Sequence, residues 1–173
     1  GTWYFRHWLV TKVARLIPLS QCQGTVLHNW VLRCLGVKLG DAVYIHRGVS
    51  FMEGGWDLIT LEDGVTLGRD VALRPIEYRS LEAHADTIHI GSDATLETRS
   101  GVSAGGVVGE QAELAPHACV RPGAPVPPGK RLTGSNYEQI SEPVRTKLST
   151  SEGWSPVGYA IRFFVCRWLI GLA

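Results

Sequence analysis

Arg74, Glu77, Arg79, His84 and His89 crowd into one short stretch of this chain, and their types suit proton-transfer chemistry. An imidazole titrates close to neutrality, so His84 or His89 could take a proton from a nucleophile. Glu77 and Arg79 could act as electrostatic partners, with a solvated salt pair as the plainer alternative. Arg74 keeps its charge and cannot be a base, but its guanidinium could bind substrate. Asp57, in the run Trp56-Asp57-Leu58, could also bind substrate or simply form a turn. His46 and His117 fall inside a regular repeat and read as surface residues. Cys22, Cys34, Cys119 and Cys166 show no Cys-x2-Cys spacing. Zinc-ribbon and thiol-redox chemistry therefore lack support, and buried or idle thiols are expected.

The elements that must hold these residues follow a period of six. Counting from Ile90, the series Ile90, Leu96, Val102, Val108, Leu114, Val120, Val126, Leu132 is aliphatic without a miss. Four residues further on the chain is small, at Ala94, Ser100, Gly106, Ala112, Ala118 and Ala124. Two shorter runs keep the step: Leu39, Ile45, Phe51, with Val43 and Val49 as companions, and Leu61, Leu67, Leu73, with Val65 and Val71. A helix would scatter such residues around its surface, and a plain strand would alternate at two. A stack of flat-sided coils explains the pattern: each hexapeptide is one short strand and one corner, with the aliphatic side chain inside.

Gly40, Gly68, Gly91 and Gly109 directly follow core positions, and are expected to serve the turns. Pro116, Pro122 and Pro128 must lie at corners, because a strand interior rejects proline. The repeat breaks twice. From Phe51 to Leu61 the step is ten, so about four extra residues bulge out around Gly54-Gly55-Trp56. From Leu73 to Ile90 it is seventeen, so Arg74 to His89 contains an excursion. Insertions in a solenoid emerge as loops, often on a binding face.

The fold class expected is all-β, a single-stranded parallel β-helix over residues 37–135 with amphipathic or apolar helices at both ends. Residues 1–36 read as amphipathic helices, with His7, Thr11 and Arg15 at helical spacing and Pro18 as a stop. A second helix is expected from an N-cap at Thr25 to a stop at Gly36. Residues 136–156 are polar, contain Pro143 and read as a linker. Residues 157–173 turn apolar again, either as a capping helix or as the start of a membrane or interfacial segment. The chain begins with Gly1 and its single methionine is Met52, which reads as a piece of a longer protein. Its 45% hydrophobic content argues against disorder, and its net charge of +1 gives no argument for nucleic acid.

The segment IHIGSDATLETRSGVSAGGVVGEQAELAPHACVRPGAPVPPGKRLTGS resembles the C-terminal half of hexapeptide-repeat acyltransferases. That resemblance implies a left-handed parallel β-helix, often trimeric, which moves acyl groups from thioesters to amines or hydroxyls. Two further stretches, GTVLHNWVLRCLGVKLGDAVYI and WDLITLEDGVTLG, are similar to the terminal region of poly-lysine-synthetase-type nonribosomal peptide synthetases. In that group, β-helical domains alternate with membrane helices. The implied donor is a thioester, on carrier-protein phosphopantetheine or coenzyme A, with no tightly bound cofactor. The implied acceptor is an amine, and the implied location is membrane-associated, with the soluble domain on the cytoplasmic side.

The resemblance also exposes departures. The family's catalytic histidine falls at about Arg74, which puts the usual route in doubt and leaves His84 or His89 to substitute. Glu77 and Arg79 then become its partners, and Asp57, Arg74 and His89 the substrate-binding candidates. The ending LTGSNYEQI differs from the Gly-Asn-Pro-Ala ending of acetyltransferases, which weakens the coenzyme A case. Two other readings stand beside acyl transfer. One is a noncatalytic scaffold or docking platform. The other is a zinc site like that of γ-class carbonic anhydrases, because His46, His84 and His89 give H-x37-H-x4-H. Register opposes the zinc reading: His89 immediately precedes the core position Ile90, and His84 lies in the excursion.

Overall fold

Each six-residue unit builds a two- or three-residue strand and then turns a corner. The computed structural model describes residues 5, 8–10, 12, 25–51, 54–79, 82–134, 140–142 and 165. The first coil holds β1 (Lys38–Leu39), β2 (Tyr44–Ile45) and β3 (Ser50–Phe51). The second holds β4 (Ile59–Leu61), β5 (Thr66–Leu67) and β6 (Ala72–Arg74). Strands β7 (Ile76–Arg79) and β8 (Glu82–Ala85) then form an antiparallel hairpin outside the stack. The third coil holds β9 (Ile88–Ile90), β10 (Thr95–Leu96) and β11 (Gly101–Ser103), and the fourth β12 (Val107–Val108), β13 (Glu113–Leu114) and β14 (Cys119–Val120). Val126 bridges to Val108, and β15 (Arg131–Leu132) continues the fifth coil.

Three parallel ladders make the three faces of a prism. The first face stacks β1, β4, β9 and β12; the second stacks β2, β5, β10, β13 and β15; the third stacks β3, β6, β11 and β14. The fold is thus the all-β parallel β-helix expected. Core residues stack on their counterparts, as in Ile45–Leu67–Leu96–Leu114–Leu132 along the second face. All but Ile45 in that column are fully buried, and Ile45 is nearly so. The companions Val65, Val71, Ala94, Ala112 and Ala118 are fully buried as well. Pro116, Pro122 and Pro128 all stand in turns.

The glycine expectation needs correction. Gly40, Gly68, Gly91 and Gly109 do not carry the positive φ of the corners. That conformation falls three residues after the core position, at Ala42, Gly48, Gly64, Asp70, Asp93, Arg99, Gly105, Gln111, His117, Gly123 and Gly129. What forces glycine right after the core residue is the next coil. A Cβ on Gly91 would sit 2.7 Å from the Glu110 nitrogen, and one on Gly109 2.6 Å from the Pro128 nitrogen. Both are far inside van der Waals contact with backbone.

The open ends of the stack are closed by other elements. Helix α1 (Val26–Leu35) runs between Thr25 and a left-handed Gly36, as expected, although the Thr25 side chain makes no cap bond. It buries His28, Val31 and Leu32 against the first coil. Asn29 Nδ2 donates to the Val43 carbonyl at 2.7 Å, and Arg33 donates to the carbonyls of Leu39 and Gly40. These bonds occupy edge carbonyls that would otherwise template further pairing. At the other end β16 (Ile140–Ser141), inside the stretch read as a linker, pairs antiparallel with β15. Phe5, residues 8–10, Lys12 and Val165 are helical; the rest of both flanking segments lies outside the described residues. No described helix is long and apolar enough to cross a membrane.

Candidate active site

Both insertions leave the prism at one corner, between its third and first faces. The shorter runs from β3 to β4 and includes the 3-10 turn Trp56–Leu58; the longer runs from β6 to β9 and carries the hairpin. They pack on each other. A Cβ on Gly55 would meet Pro75 Cγ at 2.9 Å and Ile76 Cδ1 at 3.3 Å, and Trp56 and Ile76 are buried. The base of the hairpin is closed by Asp86 N–H donating to the Pro75 carbonyl at 3.0 Å. Gly105 N–H donates to the Thr87 carbonyl at 3.1 Å, which ties the insertion to the coil beyond it.

Beyond this anchored base the ribbon stands in solvent, with Tyr78 and all of β8 exposed. Its register sets Glu77 directly opposite His84, and Arg79 opposite Glu82. That register puts the side chains of Glu77 and His84 within reach of each other. His84 Nε2 stands 4.0 Å from Glu82 Oε2, with both side chains more than half exposed, so the pair is weakly coupled. The three residues expected to carry catalysis, His84, Glu77 and Arg79, therefore share one ribbon.

His89 is placed differently. It lies on the first face, between Thr60 and Val107 in register. Its Nε2 stands 3.1 Å from Glu62 Oε1. The other oxygen of Glu62 accepts from the Ser92 amide at 2.9 Å and from the Ser92 hydroxyl at 2.8 Å. The Ser92 hydroxyl bond, against some opposing desolvation, holds the Glu62 carboxyl below the ordinary carboxylate range; the Ser92 amide and His89 add to it. Beside this cluster an open groove of about 370 Å³ runs along the first face, lined among others by Lys38, Thr60, Glu62, Asp63 and Ser92.

The other expected residues are dispersed. Arg74 is exposed at the end of β6, in register with Ser103, and its side chain has no hydrogen bond or ion pair among the described residues. Asp57 is half-buried in its 3-10 turn and backs onto Gly36: a Cβ there would lie 3.5 Å from the Asp57 Cβ. That position suits the turn-forming role. His46 Nδ1 stands 3.2 Å from the Arg47 carbonyl oxygen on the second face. Among the described residues no three His, Cys, Asp or Glu side chains are grouped to hold a metal ion within one chain.

Glu62, Ser92 and Glu82 were not singled out from the sequence. One signal pointed to Glu62: it stands where Gly40, Gly91 and Gly109 stand in the first, third and fourth coils of the same face. A repeat position that drops its glycine for a carboxylate marks a local departure from pure stacking.

No protein-family model matches the chain. It is 27% identical over 166 residues to the delta-poly-L-ornithine synthetase of Acinetobacter baumannii (strain AB307-0294), covering 92% of this chain and 12% of that protein. It thus spans about an eighth of the length of that relative. A crystal structure of a hexapeptide-repeat-containing acetyltransferase from Vibrio cholerae O1 biovar eltor, complexed with acetyl coenzyme A, superposes with a TM-score of 0.52 at 18% identity. That match covers 66% of this chain and 62% of the acetyltransferase, and it shows a shared fold.

Proposed function

We propose that the chain is an acyl- or aminoacyl-transfer domain of a larger synthetase, joining a thioester donor to an amine acceptor. The observation that carries the reading is the shared corner. Two insertions anchored on each other leave that corner, and two imidazole–carboxylate contacts are on offer: His84 with Glu82 on the hairpin, and His89 with Glu62 on the first face that the hairpin leads into. Likeness to a delta-poly-L-ornithine synthetase, and to the fold of an acetyltransferase, supports the reaction class.

The chemistry needs few parts. The amine attacks the thioester carbonyl carbon, a C–N bond forms and the C–S bond breaks. The proton leaving nitrogen passes through an imidazole to the departing thiolate. His84 and His89 are the proton acceptors on offer, with Glu77, opposite His84 in the ribbon, and Arg79 as electrostatic partners. Arg74 offers an exposed guanidinium for an anionic part of a substrate. The donor is a thioester of coenzyme A or of a carrier-protein phosphopantetheine, acting as co-substrate. Membrane association through the flanking segments, on the cytoplasmic side, and assembly as a trimer belong to the same proposal.

The test is amide formation. Protein is incubated with acetyl coenzyme A or with an aminoacyl N-acetylcysteamine thioester, plus a primary alkylamine, and the product is read by mass spectrometry. The expected result is transfer by the wild type and a loss of about 100-fold or more in the H84A/H89Q double variant. A second reading, a noncatalytic scaffold, is favoured by Arg74 at the position where the family's histidine is expected. It predicts no transfer above the uncatalysed rate with either donor.

A further inference from the structure

We propose that His89 is the proton acceptor of the transfer step and that Glu62, itself held by Ser92, is the residue that positions it. The inference rests on the acyl-transfer reading above and says which histidine serves it.

The argument begins with the donor inventory. An ionised carboxylate only accepts hydrogen bonds, so the His89 nitrogen facing Glu62 Oε1, Nε2, must carry the proton. In the neutral ring the lone pair is then on Nδ1, which has no hydrogen-bond partner among the described residues. Ser92 completes the arrangement. Its amide and hydroxyl both donate to Oε2, which fixes the carboxylate and leaves Oε1 for the imidazole. The ring is therefore held with one nitrogen engaged and the other open, on a side chain 45% exposed. That is the state a general base needs before substrate arrives.

The scaffold favours the same residue. His89 sits on a strand paired on both sides, and its own amide donates to the Gly106 carbonyl at 3.1 Å. Rigid elements hold reacting groups more closely than ribbons in solvent do. His84 is on such a ribbon, and the carboxylate of Glu82 is 4.0 Å away. A groove large enough for an alkylamine chain runs beside Glu62 and Ser92.

Single-turnover transfer from acetyl coenzyme A or the aminoacyl N-acetylcysteamine thioester to a primary alkylamine tests this, with far-UV circular dichroism on every variant. H89Q should lower kcat by about 100-fold, and H84A by less. E62Q should lower kcat by about tenfold with little change in KM, since the amide can donate to Nε2 and release the tautomer. H117N, at an exposed corner, should leave transfer unchanged. Nitrogen-15 NMR of labelled histidine should show His89 as the Nε2–H tautomer in the wild type and a mixture in E62Q. A wild-type Nδ1–H tautomer, or transfer that survives H89Q but not H84A, overturns the assignment and leaves the acyl-transfer reading standing. If the wild type forms no amide with either donor, the acyl-transfer reading fails and this assignment with it.

Discussion

Leu61 lies directly against Ile90 in one parallel ladder, although the two are twenty-nine residues apart in a stack whose uninterrupted coils repeat every eighteen. Val108 follows Ile90 at eighteen, and Val126 follows Val108 at eighteen. The eleven extra residues are the hairpin and its base. The coil closes beneath them as though they were absent, because Asp86 returns to hydrogen-bond Pro75.

Excision of Ile76 through Asp86 should therefore leave the β-helix folded. The cut removes eleven residues and rejoins two ends already adjacent. Thermal unfolding should fall by only several degrees, chiefly from losing the buried Ile76. Transfer activity should drop wherever His84 and Glu77 contribute. A deletion variant that fails to fold would mean the hairpin is part of the core rather than an appendage.

Glycines of two kinds should respond differently to alanine. At Gly91 the new Cβ would press on the backbone of Gly109 and Glu110 at 2.9 and 2.7 Å, so neighbouring coils must separate. A loss of about 2–3 kcal/mol is expected from such overpacking. At Gly123 nothing lies within 4 Å, and only its φ of +73° opposes a side chain. The expected cost there is about 1 kcal/mol. Urea unfolding of G91A and G123A reads both, and equal losses would contradict the stacking explanation.

Arg131 ties three coils on the second face. Its Nη1 stands 3.1 Å from Glu97 Oε1 and 3.1 Å from Glu113 Oε2, with Glu113 and Arg131 paired in register. Removing the guanidinium leaves two carboxylates without their shared cation. R131A should cost about 1–2 kcal/mol, discounted because Glu97 is a third exposed. The R131A/E113Q double variant should recover part of that loss, since it removes one of the stranded charges. Denaturant midpoints of the three proteins decide it.

Much of this was legible in the residue pattern, for a physical reason. A flat-sided coil turns the core requirement into one aliphatic residue every six, so Ile90 through Leu132 announce the stack, and breaks in the step give the size of each insertion. The helix Val26–Leu35 was legible because Gly36 can take the left-handed stop. The Glu62–His89–Ser92 cluster was not. Its members meet only because β4 and β9 are neighbours, and that register needs the hairpin to be discounted first. The role of Gly91 and its equivalents was misread as a turn requirement, because close approach between coils leaves no mark distinct from positive φ in a single sequence.

His28 gives the pH dependence of folding. It is buried on the inner face of α1 against Phe51, ring centroids 6.4 Å apart, and its Nδ1 has no hydrogen-bond partner among the described residues. Burial pushes its pKa below the ordinary value of 6.5. The unfolded chain therefore binds a proton more readily than the folded one. Stability is unaffected above the ordinary value and declines as pH falls through it toward the lowered one. Glu62 acts in a separate window. Its depressed carboxyl contributes stability that is lost only on acidification below 4.5. Between pH 7.5 and 5.5 the urea midpoint of the wild type should fall, while that of H28L, with no imidazole to protonate, should fall less. The replacement should also leave stability at pH 7.5 unchanged or raised, because it removes an unpaired buried nitrogen. An H28L profile that parallels the wild type over this range would place the titrating group elsewhere.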